Sequence, residues 1–99
     1  MDPAVQTLID AINAGDRSAF LAGLSAGATM TDDGAPRDLA AWVDKEIFTV
    51  NGHLEVESST DDGRSLVARY RNDTWGEMHT TWRFTVENGK VSRFDTGQA

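Results

Sequence analysis

Met78–Phe94, MHTTWRFTVENGKVSRF, decides the geometry of the chain. Met78, Thr80, Trp82, Phe84 and Val86 alternate with His79, Thr81, Arg83, Thr85 and Glu87. This period of two, carried by β-branched and aromatic residues, predicts a strand buried on one side. Glu87-Asn88-Gly89 then turns the chain back. A two-residue Asn88-Gly89 loop places Trp82 opposite Asp95 and Phe94 opposite Arg83, mixing the two faces, because a one-residue slip flips every side chain. A three-residue loop, Glu87-Asn88-Gly89 with Gly89 left-handed in a bulge, sets Trp82 opposite Phe94, Phe84 opposite Ser92 and Thr80 opposite Thr96. The second reading is preferred, since it gathers aromatics and hydroxyls on one face. Such a face suits the lining of a ligand cavity, and equally an ordinary core with two satisfied threonines.

The hairpin before it has the same form. Leu54, Val56 and Ser58 alternate with Glu55 and Glu57, and Asp61-Asp62-Gly63 reads as another three-residue bulged turn. In that register Leu54 meets Tyr70, Val56 meets Ala68 and Ser58 meets Leu66 on one face, while Glu55 meets Arg69 and His53 meets Arg71 on the other. Hydrophobes pair and charges pair, as a self-consistent register requires. Asn72 to Gly76 joins the two hairpins.

Upstream, the periodicity is helical. Asp2 caps a helix with Pro3 in its first turn, and Val5, Leu8, Ile9 and Ile12 recur until Gly15 stops it. Asp16 caps a second, shorter helix carrying Phe20, Leu21 and Leu24 and ending around Ser25-Ala26-Gly27. Ala28–Thr31 reads as a brief strand and Asp32–Pro36 as a turn. A third helix runs from about Arg37 to Ile47, with Leu39, Trp42, Val43, Glu46 and Ile47 on one side and Asp38 in the first turn, where it suits the helix dipole. The expected class is α+β: three N-terminal helices packed on a curved antiparallel sheet, whose covered face carries Tyr70, Asn72, Thr80, Trp82, Phe94 and Thr96.

Composition narrows the function classes. Ninety-nine residues make a single domain, 1–99, and a chain this short buries only about 60 to 65% of its unfolded surface, so a cavity would occupy a large share of the core. With 16 acidic against 9 basic residues the net charge is -7, which repels a phosphate backbone and argues against nucleic acid. The absence of cysteine excludes disulfides and thiolate chemistry. The first residues lack the basic start and apolar run of a signal peptide, and no run of 18 apolar residues occurs, so no membrane is expected and a cytoplasmic location is the default.

Val5–Asp16 (VQTLIDAINAGD), Ala28-Thr29-Met30-Thr31-Asp32, the start of the third helix at Arg37–Trp42 (RDLAAW), and Trp82-Arg83-Phe84 with Asn88-Gly89-Lys90-Val91 together resemble the nuclear transport factor 2-like superfamily. That superfamily has a cone-shaped fold and includes SnoaL-like polyketide cyclases, ketosteroid isomerases and scytalone dehydratase. The likeness spans nearly the whole chain. It implies that Asp32, at the end of the first strand, is a catalytic base taking a proton from carbon beside a carbonyl, without a cofactor. Leu8 and Thr80 stand where the isomerases place a Tyr and an Asp that stabilise the enolate, which departs from the isomerase pattern.

The candidate site is therefore Asp32 as proton shuttle, with Met30, Trp42, Tyr70, Asn72, Thr80, Trp82 and Phe94 binding a small, mostly apolar molecule that bears a carbonyl or hydroxyl. Hydrogen-bond donors among them could hold a substrate oxygen, each worth on the order of 3 kcal/mol if aimed at developing charge. Asp33 is read as the solvent-facing partner that shapes the turn, though one residue of uncertainty could exchange it with Asp32. No metal is expected, because neither His53 nor His79 has a second ligand at suitable spacing. His79, Thr81, Arg83 and Arg93 share the outer sheet face, read as the surface of a homodimer. Trp75, in the loop between hairpins, is either an interface anchor or a lid over the cone mouth. The alternative to an enzyme is a dimeric binding or association module whose cone is filled by Trp82 and Phe94 packed on Trp42.

Overall fold

The computed structural model describes residues 1–99. The elements are α1 (Pro3–Ala14), α2 (Arg17–Ala22), β1 (Leu24–Asp32), β2 (Ala35–Arg37), α3 (Leu39–Val43) running into a π-helical turn (Asp44–Phe48), β3 (His53–Thr60), β4 (Ser65–Asn72), β5 (Gly76–Glu87) and β6 (Lys90–Gln98). One six-stranded sheet has the order β2-β1-β6-β5-β4-β3. β1 lies parallel to β6 while the other pairs are antiparallel, so the sheet is mixed where an antiparallel one was expected.

The first helix forms as its caps dictate. The Asp2 carboxylate accepts the Ala4 amide at 2.8 Å, and Gly15 takes the left-handed conformation (φ 66°) that ends the helix. Val5, Leu8, Ile9 and Ile12 are all buried, at about 1.5–3 kcal/mol each relative to exposure. The helix is also tied to the edge strand β3 by Asn13, whose side-chain amide donates to the Leu54 carbonyl (2.9 Å) while its oxygen accepts the Leu54 amide (2.8 Å). The amide thus fills the place of a missing neighbouring strand. The Ala4 amide and then Arg64, which reaches the Asp2 carboxylate at 3.0 Å, hold Asp2 below its ordinary pKa.

Four expectations from the sequence need correction, each for a local reason. The second helix stops at Ala22 and Leu24 already belongs to β1, because Gly23 caps the helix, its amide donating to the Ala19 and Phe20 carbonyls at 3.1 Å. Gly23 also offers its carbonyl to the Val91 amide at 3.0 Å, which begins the parallel pairing. The third helix starts at Leu39, with Asp38 as its cap accepting the Ala41 amide at 3.2 Å. Ala35–Arg37 instead pair back on Met30–Asp32 through the tight Asp33-Gly34 turn, both residues at positive φ.

The third and fourth corrections concern register. Asn88 (φ 52°) and Gly89 (φ 76°) form a two-residue turn, with Glu87 opposite Lys90 and Val86 opposite Val91. A bulge then absorbs Ser92, so that Thr85 meets Arg93, Phe84 meets Phe94, Trp82 meets Thr96 and Thr80 meets Gln98. Each partner is displaced by two residues from the expected one, and two is the period of a strand, so the inward face comes out as expected. In the other hairpin His53 to Val56 pair as expected with Arg71 to Ala68, but Glu57 bulges and Ser59, not Ser58, meets Leu66. That loop is four residues long, with Thr60 opposite Ser65, and the chain start docks into it: Asp2 donates its amide to the Asp62 carbonyl at 2.7 Å.

The helices cover one face of the sheet and enclose a continuous core. Its centre is aromatic. Phe94, fully buried, has ring centroids 6.0 Å from Phe20, Trp42 and Trp82 and 6.4 Å from Phe84. The outer face is a lattice of charges: Arg69 lies 3.8–4.0 Å from Glu55, Glu57 and Glu77, and His79 Nδ1 lies 2.8 Å from Glu57. Arg93 pairs with Asp95 at 3.0 Å, which holds the Asp95 carboxyl below its ordinary pKa, assisted by the Thr31 hydroxyl at 2.6 Å. No helix is long and apolar enough to cross a membrane.

Candidate functional site

The aromatic cluster fills the deep half of the cone and leaves the mouth open. Above Trp42 and Trp82, whose centroids stand 6.3 Å apart, is a cavity of about 230 Å³, roughly eight waters at ~30 Å³ each. Five of the expected site residues line it: Asp32, Trp42, Tyr70, Thr80 and Trp82. Met30 and Phe94 are buried in the core beneath it, and Asn72 is buried to one side; none of these three lines it.

Strand alternation places Asp32. In β1, Met30 and Asp32 point toward the helices, while Thr31 between them points outward to Asp95. The half-buried Asp32 accepts the Trp42 indole N–H on Oδ2 at 3.0 Å. Asp33 also lines the cavity, at its rim, and serves the turn as expected: its Oδ1 accepts the Gln98 amide at 3.0 Å and its own amide donates to the Thr96 carbonyl at 2.9 Å. A Cβ on Gly97 would come within 2.6 Å of that Oδ1, so a larger residue there would push the Asp33 carboxylate aside.

The donors expected to hold a substrate oxygen have partners within the protein. The π-helical turn widens the end of α3 and leaves the Glu46 carbonyl without a helical partner. Tyr70 Oη donates to that carbonyl at 2.5 Å and Asn72 Nδ2 at 2.9 Å. Burial pushes the Tyr70 phenol well above its usual pKa, so it remains a neutral donor. A Cβ on Gly52 would collide with the same hydroxyl, which ties the loop after the π turn to this contact. Trp82 Nε1 donates to Thr80 Oγ1 at 2.9 Å.

Trp75 stands at the mouth and is 62% exposed. Its indole donates to Glu46 Oε2 at 2.9 Å and its backbone amide to Asn72 Oδ1 at 2.8 Å. It therefore lines the cavity while keeping most of its ring exposed. Sequence reasoning put Thr96 on the covered face without naming it in the site, and did not place Glu46, Met78 or Gln98 at the cavity. Signals for two existed: Glu46 is a carboxylate within an apolar helical stripe, and Met78 has the same strand parity as Thr80 and Trp82.

No protein-family model and no curated protein matches the sequence. Solved structures match it along nearly its full length. A candidate polyketide cyclase from Sinorhizobium meliloti is 22% identical with a TM-score of 0.79, the match covering 97% of this chain and 94% of that one. An NTF2-like protein of unknown function from Cytophaga hutchinsonii is 13% identical at TM-score 0.75, over 97% and 87% of the two chains. A computationally designed 17-OHP binder is 15% identical at TM-score 0.76, over 94% and 86%. At these identities the likeness is one of fold: six strands wrapped about a few helices, open at one end. The chain adopts the fold of the nuclear transport factor 2-like proteins.

Proposed function

We propose that the chain is a SnoaL-like small-molecule-binding domain whose cone takes a small, mostly apolar molecule with a carbonyl or hydroxyl group. The observation that carries this reading is the open cavity walled by Trp42, Tyr70 and Trp82 with the Asp32 carboxylate at its edge. Neighbours of the same fold described as candidate polyketide cyclases, and a designed 17-OHP binder, support a small-molecule ligand. Asp32 is the group suited to accept a proton, in chemistry of the isomerase, cyclase or dehydratase type. The internal partners of Tyr70, Asn72 and Trp82 leave little to stabilise an enolate, so binding is the primary role and any turnover is modest. The same aromatic filling favours, as a second reading, a non-catalytic module. A homodimer through the outer face of the sheet, in the cytoplasm, belongs to the same proposal.

Met78, half-buried on the cavity wall, provides the test. Met78→Trp adds bulk where the ligand would sit. Calorimetric titration with small cyclic ketones and alcohols should show one-to-one binding to the wild type and none to this variant, at nearly unchanged melting temperature. Equal binding by both proteins would move the site elsewhere.

A further inference from the structure

The cavity offers acceptors and negative charge, with few donors and no positive charge. Asp32, Asp33 and Glu46 line it, whereas no Lys, Arg or His does. None of the three carboxylates is in an ion pair, unlike those of the outer sheet face. Asp32 and Glu46 each use one oxygen on an indole N–H, leaving Asp32 Oδ1 and Glu46 Oε1 without a protein donor. The N–H and O–H groups of the aromatic walls, on Trp42, Tyr70, Trp75 and Trp82, all point at protein acceptors. Only the side-chain carboxamide of Gln98 at the rim is an uncommitted donor, since its backbone amide donates to Asp33. Arg37 and Lys45, with Asp38, line an adjoining cleft that shares Asp32, Trp42, Glu46 and Trp75 with the cavity but lies outside it.

We infer that this cavity takes a molecule with a positively charged nitrogen, a protonated amine or quaternary ammonium on a compact apolar body. The inference rests on the reading of the cone as a small-molecule site and adds the charge of its ligand. Aromatic walls and carboxylates act together on such a group: a cation near Trp or Tyr rings gains about 0.5–2 kcal/mol, and an ammonium is a pure donor that suits free carboxylate oxygens. An anion meets the opposite field and finds almost no N–H to accept. A neutral alcohol or ketone gains only the apolar contact and one hydrogen bond. The volume of about 230 Å³ suits a ligand of one ring and a short arm.

Benzylamine, benzyl alcohol and benzoate at neutral pH have nearly the same shape and differ in charge, so they separate these contributions in a titration followed by tryptophan fluorescence. The expected result is benzylamine bound about tenfold tighter than benzyl alcohol, with no saturable binding of benzoate. Asp32→Asn and Glu46→Gln should each weaken benzylamine several-fold and benzyl alcohol far less, because the amide oxygen still accepts the hydroxyl while the charge is gone. Glu87→Gln removes the same unit of charge at the far end of β5 and should change nothing. Benzyl alcohol binding as tightly as benzylamine overturns the inference while leaving the cavity as a small-molecule site. An equal loss in Glu87→Gln overturns it too, because attraction to the net charge would then suffice. If none of the three probes saturates, and Met78→Trp responds as the wild type does, the small-molecule reading fails along with it.

Discussion

Phe94→Ala should lower the unfolding free energy by about 3–5 kcal/mol, the largest effect expected of any single substitution in this chain. The ring is fully buried with four other aromatic rings about it, at centroid distances of 6.0–6.4 Å, and those neighbours are themselves held by the sheet, by α2 and by α3. They can collapse only partly into the space left, so the variant loses both the transfer free energy of a phenyl group and the contacts around the void. For a domain near 100 residues each kcal/mol is about 4–8 °C in melting temperature, so a fall of roughly 12–40 °C is expected. Denaturant unfolding should show a lower midpoint at unchanged slope. Trp75→Ala, which removes a larger but exposed ring, should stay within about 0.5 kcal/mol of wild type. A mild Phe94→Ala would mean that the aromatic cluster is not the centre of the core.

Asp32→Asn is expected to do the reverse, altering chemistry while sparing stability. The amide oxygen of asparagine still accepts the Trp42 indole N–H, now 3.0 Å from Asp32 Oδ2, so the melting temperature should barely move. What disappears is the base. A positioned general base contributes about 10²–10⁴-fold, so if the domain abstracts protons beside a carbonyl, the variant should lose that factor. Deuterium exchange at the α-carbon of a small cyclic ketone that enters the cone, followed by NMR, reads this step directly. Exchange accelerated by wild type and absent in the variant assigns the role; equal acceleration by both removes Asp32 from the mechanism. No acceleration by wild type makes the domain a binder, in keeping with the internal partners of its donors.

The parts of this fold that were legible in the sequence carry their signals locally. Asp2, Pro3 and Gly15 bracket α1, and its four apolar residues repeat at helical spacing, so the helix and its buried side could be read together. The inward face of β5 and β6 was legible for the same reason, although the pairing was not: a one-residue bulge at Ser92 has no signature of its own. The strand Ala35–Arg37 was obscured by its shortness and by Pro36, which an edge strand tolerates. The parallel pairing of β1 with β6 joins residues more than sixty apart in sequence, as Thr31 and Asp95 show.

The site divides along the same line. Trp42, Thr80, Trp82 and Tyr70 reach the cavity because parity and helical spacing place them there, whereas Asp32, in a stretch that reads as a turn, was singled out by the resemblance alone. That Tyr70 and Asn72 donate to a backbone carbonyl instead depends on the π turn at Asp44–Phe48, a backbone irregularity invisible to residue periodicity. Trp75 and Glu46 meet through a side-chain hydrogen bond between a loop and a helix end, which no spacing rule anticipates.

The central claim is that the Trp42 and Trp82 indoles and the Asp32 carboxylate face one ligand chamber. Two-dimensional NMR of the three indole N–H groups and the backbone amides, during titration with the tightest-binding of the benzyl probes, tests it most directly. The account predicts that the Trp42 and Trp82 indoles and the amides of Asp32 and Gly97 shift together and saturate at one equivalent, while Arg69, His79 and Arg93 on the outer face stay in place. Shifts confined to the outer face, with Trp42 and Trp82 unmoved, would contradict it.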